Sequence, residues 1–386
     1  MTPRDSRRAA IRYSQPVLVG REHDYVREAL EQGHLSSNGP FTHRCQSWLA
    51  ETFGTAPAPV YLTHSATAAL ELAALLTDIG PGDEVVMPAF TFVSCANAIA
   101  LRGATPVFVD VRADTLNIDP DQVAGAITPR TRAIVAVHYA GVPCDMAPIV
   151  ALAEQHQLVV IEDAAQALMS SYRGKPAGTL GHLGVFSFHD TKNVMSGEGG
   201  AIVVNDARFA ARAEIACRYG TDRGAFDRGE RQRYEWIDLG SSFAPNEITA
   251  AVLLAQLERA DDITHARHAL WARYHSAFAP LEAAGVARRP VVPPDVQHNA
   301  HLYYLLLRDQ DARDRFIAAM RADGISAPFH FVPLDDSPGG RRYARAHGAL
   351  PNTHAAAVRL VRLPLWFGME PVQDRVIDTV LGLLKS

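Results

Sequence analysis

The sequence has few cysteines and none of the short spacings that give cysteines a structural role. Cys45, Cys95, Cys144 and Cys217 are scattered along the chain, without a CxxC pair. This usage favours free thiols in a reducing compartment, so we expect a cytoplasmic protein. His138 and Cys144 lie six positions apart with no further ligand nearby, so we expect no metal site.

Long apolar runs and a strong net charge are also missing. No stretch approaches the ~18 apolar residues of a membrane helix, so we expect no membrane partner. The arginines from Arg4 to Arg12 are not followed by an apolar core, which argues against a secretory signal. A net charge of −5 gives no indication of a nucleic-acid partner. The arginine-rich stretch 218–233 also contains acidic residues and is interpreted as a solvated or substrate-facing loop.

Two motifs of common ligand sites are absent as well. No GxGxxG fingerprint follows the first strand, which argues against a dinucleotide cofactor, and the GxSxG elbow of hydrolases is not found. The composition, 48% hydrophobic and 20% charged over 386 residues, is that of an ordinary globular protein with room for two domains. We predict a large domain over residues 1–250 and a smaller one over 251–386.

Short apolar runs alternate with helical stretches between residues 60 and 205. The runs lack polar alternation, as strands buried on both faces should, and they cover residues 84–88, 105–110, 133–137, 158–161, 184–188 and 201–204. Helices are predicted between them over 66–77, 94–102 and 145–156. The alternation indicates the α/β class, with a mostly parallel sheet sandwiched by helices and ligands beyond the carboxyl ends of its strands.

The texture of the sequence changes after about residue 246. Residues 246–284 are rich in Ala and Leu, which predicts one long helix connecting the two domains. Residues 301–308 then predict a strand, and short strands and helices follow. The second domain is therefore expected to be of the α+β type.

Lys192 and Asp163 are the main candidate catalytic residues. Each follows an apolar strand, and they are 29 positions apart, with Ser187 between them and the glycine-rich segment 197–200 behind. Alone, the lysine would be interpreted as a surface residue, and the aspartate equally as a helix N-cap before Ala164. Together they match pyridoxal phosphate, which needs a carboxylate to keep its pyridine nitrogen protonated and an amine to form a Schiff base with its aldehyde.

Three further segments carry candidate cofactor contacts. Gln166 is interpreted as a capping-box partner, a hydrogen-bond donor to the cofactor, or both. Thr67 lies where a helix begins, and free N–H groups there favour a phosphate, although ordinary capping by Ser65 or Thr67 is equally consistent. Phe92 would stack on a pyridine ring; core packing is the alternative, and Phe90 is the competing side chain.

Seven motifs, in order along nearly the whole chain, resemble the DegT/StrS-type nucleotide-sugar aminotransferases. They lie at 81–85 (PGDEV), 88–92 (PAFTF), 106–110 (PVFVD), 137–138 (VH), 162–166 (EDAAQ), 186–189 (FSFH) and 197–200 (GEGG). The resemblance implies the aspartate aminotransferase fold (fold type I), with a mostly parallel central sheet sandwiched by helices and a smaller C-terminal α+β domain. It also implies pyridoxal phosphate as the cofactor.

The resemblance assigns roles to the candidate residues. Lys192 would form the Schiff base, Asp163 would contact the ring nitrogen, Gln166 would lie beside the ring and Phe92 would stack on it. The phosphate would be held by Ala66, Thr67 and Ser187. The family is dimeric, and each site is completed by the partner subunit. The segment 239–243 corresponds to that contribution, with Ser242 offering a hydroxyl where many members have Asn.

Segments 36–41, 142–146 and 189–193 look most like the dTDP-4-amino-4,6-dideoxygalactose transaminase branch. That likeness implies a dTDP-linked 4-keto-6-deoxysugar as substrate and L-glutamate as amino donor, in a ping-pong transamination through Lys192. Asp335 stands where the family usually has His, so a nucleotide 4-ketopentose or a 3-ketosugar is the alternative substrate. Relatives that remove a sugar hydroxyl have His in place of the lysine, so Lys192 argues against that reaction. A non-catalytic, cofactor-binding regulatory protein is the remaining alternative.

Overall fold

The strands of the chain form one large sheet and two small ones. The computed structural model describes residues 10–55 and 58–385. Within these residues the strands are β1 (Val60–Thr63), β2 (Glu84–Pro88), β3 (Thr105–Val109), β4 (Thr131–Val137), β5 (Val159–Asp163), β6 (Ser171–Tyr172), β7 (Lys175–Pro176), β8 (Leu183–Ser187), β9 (Gly200–Val204), β10 (Val296–Gln297), β11 (Tyr303–Leu306), β12 (Arg345–Ala346) and β13 (Leu360–Leu363).

Helices fill most of the connections between these strands. They are α1 (Glu22–Gln32), α2 (Pro40–Phe53), α3 (Ala66–Leu76), α4 (Val93–Ala100), α5 (Pro120–Ala126), α6 (Met146–His156), α7 (Ala210–Cys217), α8 (Arg223–Asp227), α9 (Glu247–Leu257), α10 (Ala260–Ala277), α11 (Ala279–Ala283), α12 (Gln310–Ala322), α13 (Pro338–Tyr343), α14 (Pro351–Arg359) and α15 (Glu370–Lys385). In the described residues, none is both long enough and apolar enough to cross a membrane.

The large sheet is mostly parallel, as predicted. Its strand order is β1-β9-β8-β5-β4-β2-β3-β12, and the pairs from β8 to β12 are all parallel. Strand β9 pairs antiparallel with both β8 and β1. Every residue of β2, β8 and β9 is buried, which explains why these segments read as continuous apolar runs.

Helices cover both faces of this sheet, so neighbouring strand residues enter different cores. Val85 packs into a core with residues of α3 and α4, whereas Val86 packs into another with residues of α5 and α6. This layering confirms the predicted α/β class.

A second core lies in the C-terminal part of the chain. Residues of α10, α12 and α15 pack there against β11 and β13, which form an antiparallel pair. Connections cross between the two parts, because β12 extends the large sheet and Ile11 bridges to Ile325. The domain division at residue 250 stays a prediction.

The predicted single helix over 246–284 is wrong. The structure has three helices there, α9, α10 and α11, with breaks at residues 258–259 and at Phe278. The second break precedes Pro280, which takes an early position in α11, because a proline in a helix interior would lack its N–H and clash with the preceding turn. The strand predicted over 301–308 is observed as the shorter β11.

Candidate active site

A cavity of about 420 Å³ opens where the parallel strands of the large sheet end. Val137, Asp163 and Ser187 are the last residues of β4, β5 and β8, and all three line this space, here called the central cavity. Neighbouring parallel strands end at the same sheet edge, so residues distant in sequence meet there. The site therefore lies beyond the strand ends, where the strand pattern predicts it.

Lys192 reaches the central cavity from the turn that follows β8. Its backbone N–H donates to the carbonyl of His189 at 2.9 Å, and its side chain lines the cavity. Burial lowers the pKa of the amine to about 8; the Asp163 carboxylate opposes this shift and the Arg362 guanidinium adds to it. A sizeable fraction of the amine is therefore neutral and nucleophilic near pH 8.

Asp163 lies on the cavity floor and is 6% exposed. Its Oδ1 accepts from the Ala165 N–H at 3.0 Å, and its Oδ2 accepts from the Cys95 thiol at 2.8 Å. No described Lys, Arg or His side chain lies within 4.0 Å of the carboxylate oxygens. A buried carboxylate without a cation of its own can hold a proton on a bound ligand.

Asp163 and Gln166 do not cap a helix. The residues after β5 form turns rather than helix, so the N-cap and capping-box alternatives are both wrong. Gln166 lines the central cavity, and its Oε1 accepts from the Ala140 N–H at 2.9 Å. That bond fixes the side chain and leaves its amide NH2 as the group that can face a ligand.

The beginning of α3 forms one end of the cavity. Ser65 is the N-cap residue, and its hydroxyl accepts from the Ala68 N–H at 3.1 Å. Ala66 and Thr67 line the cavity, with the Thr67 hydroxyl 2.7 Å from that of Ser94. Capping therefore falls on Ser65, and the N–H groups at this helix start can bind an anion.

One glycine of the glycine-rich segment 197–200 is required by packing within the protein. A Cβ added to Gly200 would lie 2.6 Å from the backbone nitrogen of Ala66. Only glycine therefore lets β9 pass so close to the start of α3. At Gly200, then, the close neighbour that requires glycine is a helix of the same chain.

Phe92 and Phe90 have different environments. Phe92 is 59% exposed and lines the central cavity, whereas Phe90 is buried and packs against Tyr139 and Phe331. The ring available to stack on a ligand is therefore Phe92. Ser187, also in the cavity wall, is 7% exposed.

Ser242 lies outside the central cavity. It lines an adjoining hollow of about 710 Å³ together with Ser37 and Tyr219. The two spaces meet at Ser65 and Glu198, which line both. Because Ser242 is expected to act in the partner's site, its phosphate contact stays a prediction.

The C-terminal part supplies cavity residues that the sequence analysis missed. Arg362, on β13, donates to the Phe329 carbonyl at 2.9 and 3.2 Å and to the Tyr13 hydroxyl at 3.1 Å. No carboxylate of the described residues lies within 4.0 Å of its guanidinium. An arginine with no acidic partner, in a cavity, is a ready site for an anionic ligand. Its only sequence signal was a basic residue within an apolar stretch before Pro364.

Two histidines of the C-terminal part, His301 and His330, also line the central cavity. Burial lowers the pKa of both imidazoles well below the usual value, and nearby positive charges, including Lys192, add to this effect. Both rings are therefore neutral. The Asn193 NH2 donates to the Asn299 carbonyl at 2.8 Å, which leaves the Asn193 Oδ1 to accept from the His301 Nδ1–H at 3.1 Å. The Nε2 of His301 is then an acceptor.

Asp335 and His138, which the sequence analysis considered as possible site residues, are hydrogen-bonded to residues that do not line the central cavity. Asp335 is paired with His354 at 2.9 Å and does not line the central cavity. His138 has both ring nitrogens engaged, one accepting from the Cys144 N–H at 3.0 Å and the other 2.9 Å from Glu162. In residues 10–55 and 58–385 no three His, Cys, Asp or Glu side chains group as a metal site.

The donor set of the central cavity fits pyridoxal phosphate. A desolvated amine at Lys192 suits its aldehyde, and the unpaired carboxylate of Asp163 suits its ring nitrogen. The start of α3 suits its phosphate, and the exposed face of Phe92 suits its ring. Four chemically different requirements are met within one cavity.

Comparison with known proteins gives matches along almost the whole chain. Residues 17–381 match the model of the DegT/DnrJ/EryC1/StrS aminotransferase family. The spore coat polysaccharide biosynthesis protein SpsC of Bacillus subtilis (strain 168) is 36% identical over 383 residues, which cover 97% of each protein. The aminotransferase TlmJ of Streptoalloteichus hindustanus is 32% identical, with a TM-score of 0.89 over 97% of this chain and 99% of that one.

A further solved structure is DesV of S. venezuelae, in complex with a ketimine intermediate. It is 32% identical, with a TM-score of 0.86 over 97% of this chain and 99% of that one. Such agreement along complete chains confirms the predicted fold type I.

Proposed function

Because the chain belongs to the DegT/DnrJ/EryC1/StrS aminotransferase family and is thus a pyridoxal phosphate-dependent sugar aminotransferase, we propose a specific reaction for it. The amino group of L-glutamate is transferred to a dTDP-linked 4-keto-6-deoxysugar, which becomes the 4-amino-4,6-dideoxysugar. One observation carries the proposal: Lys192, Asp163 and Arg362 line the same cavity, so an amine, a carboxylate and a cation without an acidic partner face the space in which cofactor and substrate would meet.

Pyridoxal phosphate, when bound, supplies an aldehyde that carries the amino group and a ring that accepts electrons. Lys192 would hold its aldehyde carbon through Nζ, and Asp163 would keep its ring nitrogen protonated. Ala66 and Thr67 at the beginning of α3, together with Ser187, would hold the phosphate. Phe92 would offer its face to the ring, and Gln166 would contact the ring at its side. The geometry that supports these roles is the common cavity.

Lys192 also moves the proton in the reaction. In the first half-reaction its Nζ, with a pKa lowered to about 8, would remove the proton from the donor carbon that bears the amino group. In the second half-reaction it would deliver a proton to the sugar carbon that receives the amino group. An ordinary lysine would be almost fully protonated at neutral pH and would be a poor base. Burial of this side chain is therefore part of its function.

Arg362 binds the carboxylate of the amino donor. Its guanidinium lies in the cavity wall, has no acidic partner among the described residues, and is oriented by the Phe329 carbonyl and the Tyr13 hydroxyl. An arginine fixed in this way can form two parallel hydrogen bonds to a carboxylate. This supports an amino acid such as L-glutamate as the donor.

The sugar occupies the space beside the two neutral imidazoles. The Nε2 of His301 accepts a hydrogen bond from a sugar hydroxyl, because Asn193 fixes its tautomer. The adjoining hollow, which meets the central cavity at Ser65 and Glu198, gives room for the nucleotide. The name of SpsC, a spore coat polysaccharide biosynthesis protein, is in keeping with a sugar acceptor.

The alternative acceptors are not favoured by any described contact. A 4-ketopentose was suggested by Asp335, but that side chain is bonded to His354 and lies outside the central cavity. A 3-ketosugar is likewise supported by no particular residue. The dTDP-linked 4-keto-6-deoxysugar remains the proposed substrate.

We also propose that the enzyme is a cytoplasmic homodimer with shared sites. Its four cysteines are free thiols. Large apolar side chains are exposed in the segment just before Ser242 in the sequence, with Trp236 77% and Leu239 50% exposed. A second copy of the chain would cover them and would bring Ser242 to the partner's phosphate site.

The proposal is tested by product analysis. Purified protein is incubated with pyridoxal phosphate, L-glutamate and dTDP-4-keto-6-deoxyglucose, and the sugar is examined by NMR. We expect an amino group at C4, and the H3–H4 and H4–H5 couplings assign it as axial or equatorial. If L-glutamate is converted to 2-oxoglutarate but no aminosugar forms, the proposed sugar is wrong and 4-ketopentoses or 3-ketosugars are tried next.

A further inference from the structure

The carboxylate of Asp163 accepts a hydrogen bond from a buried thiol. Cys95, on α4, is 1% exposed, and its Sγ–H donates to Oδ2 of Asp163 at 2.8 Å. The other carboxylate oxygen, Oδ1, accepts from the Ala165 N–H. Each oxygen therefore has one protein donor, and the thiol is the only side chain among the described residues that donates to it.

The thiol is protonated near neutral pH and can therefore act as a donor. Burial, followed by the charge and hydrogen bond of Asp163, raises the pKa of Cys95 well above that of an ordinary cysteine. Thr91 is the other polar neighbour, with its hydroxyl 3.6 Å from Sγ. The sulfur therefore keeps its proton, which it donates in the hydrogen bond to Asp163.

A thiol is a weak hydrogen-bond donor, and that weakness has a consequence for the carboxylate. Strong donors to a carboxylate stabilise its charged form and reduce its affinity for a proton. A serine or an arginine in this place would draw charge from Oδ2, whereas the thiol fills the space with little effect on basicity. Because Cys95 is buried, Oδ2 has no contact with solvent on the side of the thiol.

We propose that Cys95 is a positioning residue that tunes Asp163: it satisfies Oδ2 and excludes water while leaving the carboxylate basic enough to hold a proton on the ring nitrogen of pyridoxal phosphate. The proposal rests on the proposed function, which gives Asp163 that role. The strength of the hydrogen-bond donor at position 95 would then set how firmly the ring proton is held.

The test compares Cys95→Ser, a stronger donor, with Cys95→Ala, which has none. The visible absorbance of the lysine-bound cofactor is titrated with pH in the purified holoenzyme. A firmly held ring proton withdraws electrons from the Schiff base and lowers the midpoint of this titration. We therefore expect Cys95→Ser to raise the midpoint by about half a pH unit and Cys95→Ala to lower it.

Opposite directions distinguish tuning from packing. Loss of packing alone would move both variants in the same direction, and that result, or no shift in either variant, would overturn the proposal. Cys217→Ser is the matched control, because Cys217 is another buried free thiol and lies on α7, outside the central cavity. Its midpoint is expected to equal that of the wild type.

Two further variants keep the test decisive if folding is impaired. Cys95→Thr restores a hydroxyl donor and Cys95→Val fills the space without one, and thermal unfolding of each variant identifies those that fold. Failure of the proposed function looks different. If wild-type protein forms no lysine-bound cofactor band, Lys192 and Asp163 are misassigned; if it forms the band and the position 95 variants do not shift it, only the tuning by Cys95 is wrong.

Discussion

The two walls of the central cavity differ in origin and in chemistry. The wall from the large sheet carries the Asp163 carboxylate, the Ser187 hydroxyl and the start of α3. The wall from the C-terminal part carries Arg362 and two neutral histidines. The first set suits a cofactor with a ring nitrogen and a phosphate, and the second suits substrates with carboxylates and hydroxyls. We propose that the first wall holds the cofactor and that the second selects the substrates that react with it.

Lys192→Ala should have the largest effect, because Lys192 reacts with ligands bound at both walls. We expect turnover to fall by roughly a thousandfold or more, since nucleophile and base are lost together. Steady-state aminosugar formation is the measurement. Lys175→Ala, which removes an exposed lysine, is the matched control and should keep wild-type turnover. Comparable turnover in the two variants would contradict the assignment of Lys192.

Asp163→Asn and Asp335→Asn compare a carboxylate inside the cavity with one outside it. Loss of the charge at Asp163 should lower kcat by roughly a hundredfold, because an amide cannot hold the ring proton. Asp335, bonded to His354 away from the central cavity, should tolerate the change with less than about a twofold loss. A large effect on sugar KM in Asp335→Asn would instead place that residue in the substrate site.

The pH dependence of cofactor capture tests the sheet-side wall before any substrate is present. The neutral amine of Lys192 attacks the aldehyde, and its pKa is lowered to about 8. The rate at which cofactor-free protein acquires the visible band should therefore rise about tenfold per pH unit below 8 and level off above it. Stopped-flow absorbance gives the profile. A rate still rising steeply at pH 10 would mean that this lysine is not desolvated.

Acid should weaken the C-terminal part of the molecule. Burial lowers the pKa of His298 to about 3, so the unfolded chain binds more protons than the folded one between that pH and the usual histidine value. Stability must then fall as the pH falls through this window. His298→Gln keeps a hydrogen-bonding side chain but does not titrate, so its loss of stability between pH 7 and 5 should be about 1 to 2 kcal/mol smaller. Urea unfolding at both pH values gives the comparison, and equal losses would contradict it.

The contrast between the walls also explains why residues of the sheet-side wall could be predicted from the sequence and those of the C-terminal wall could not. Buried strands such as β2 and β8 are short apolar runs, and parallel topology brings their ends together, so Asp163 and Ser187 could be placed from local pattern alone. The beginning of α3 at residue 66 was also predicted, and the structure shows that Ser65 caps it. These residues are determined by the strand or helix on which they lie.

The C-terminal wall depends on packing between distant segments. Arg362 belongs to β13, but its orientation comes from Tyr13 and Phe329, which lie far away in sequence. His301 is fixed by Asn193, which lies 108 positions away in the sequence. Ser65 and Ala66 next to Gly200 give a similar case, since only the fold shows that the glycine makes room for a helix. Such contacts leave no periodic signal in the sequence.

The division of labour between the walls is tested most directly by measuring two affinities in Arg362→Gln and Ser187→Ala. The dissociation constant of pyridoxal phosphate comes from absorbance titration, and that of L-glutamate from its half-reaction with the loaded protein. Arg362→Gln should weaken L-glutamate by roughly tenfold or more and leave the cofactor within about twofold, whereas Ser187→Ala should weaken the cofactor alone. If Arg362→Gln weakened the cofactor as much as L-glutamate, the account of two walls with separate functions would be wrong.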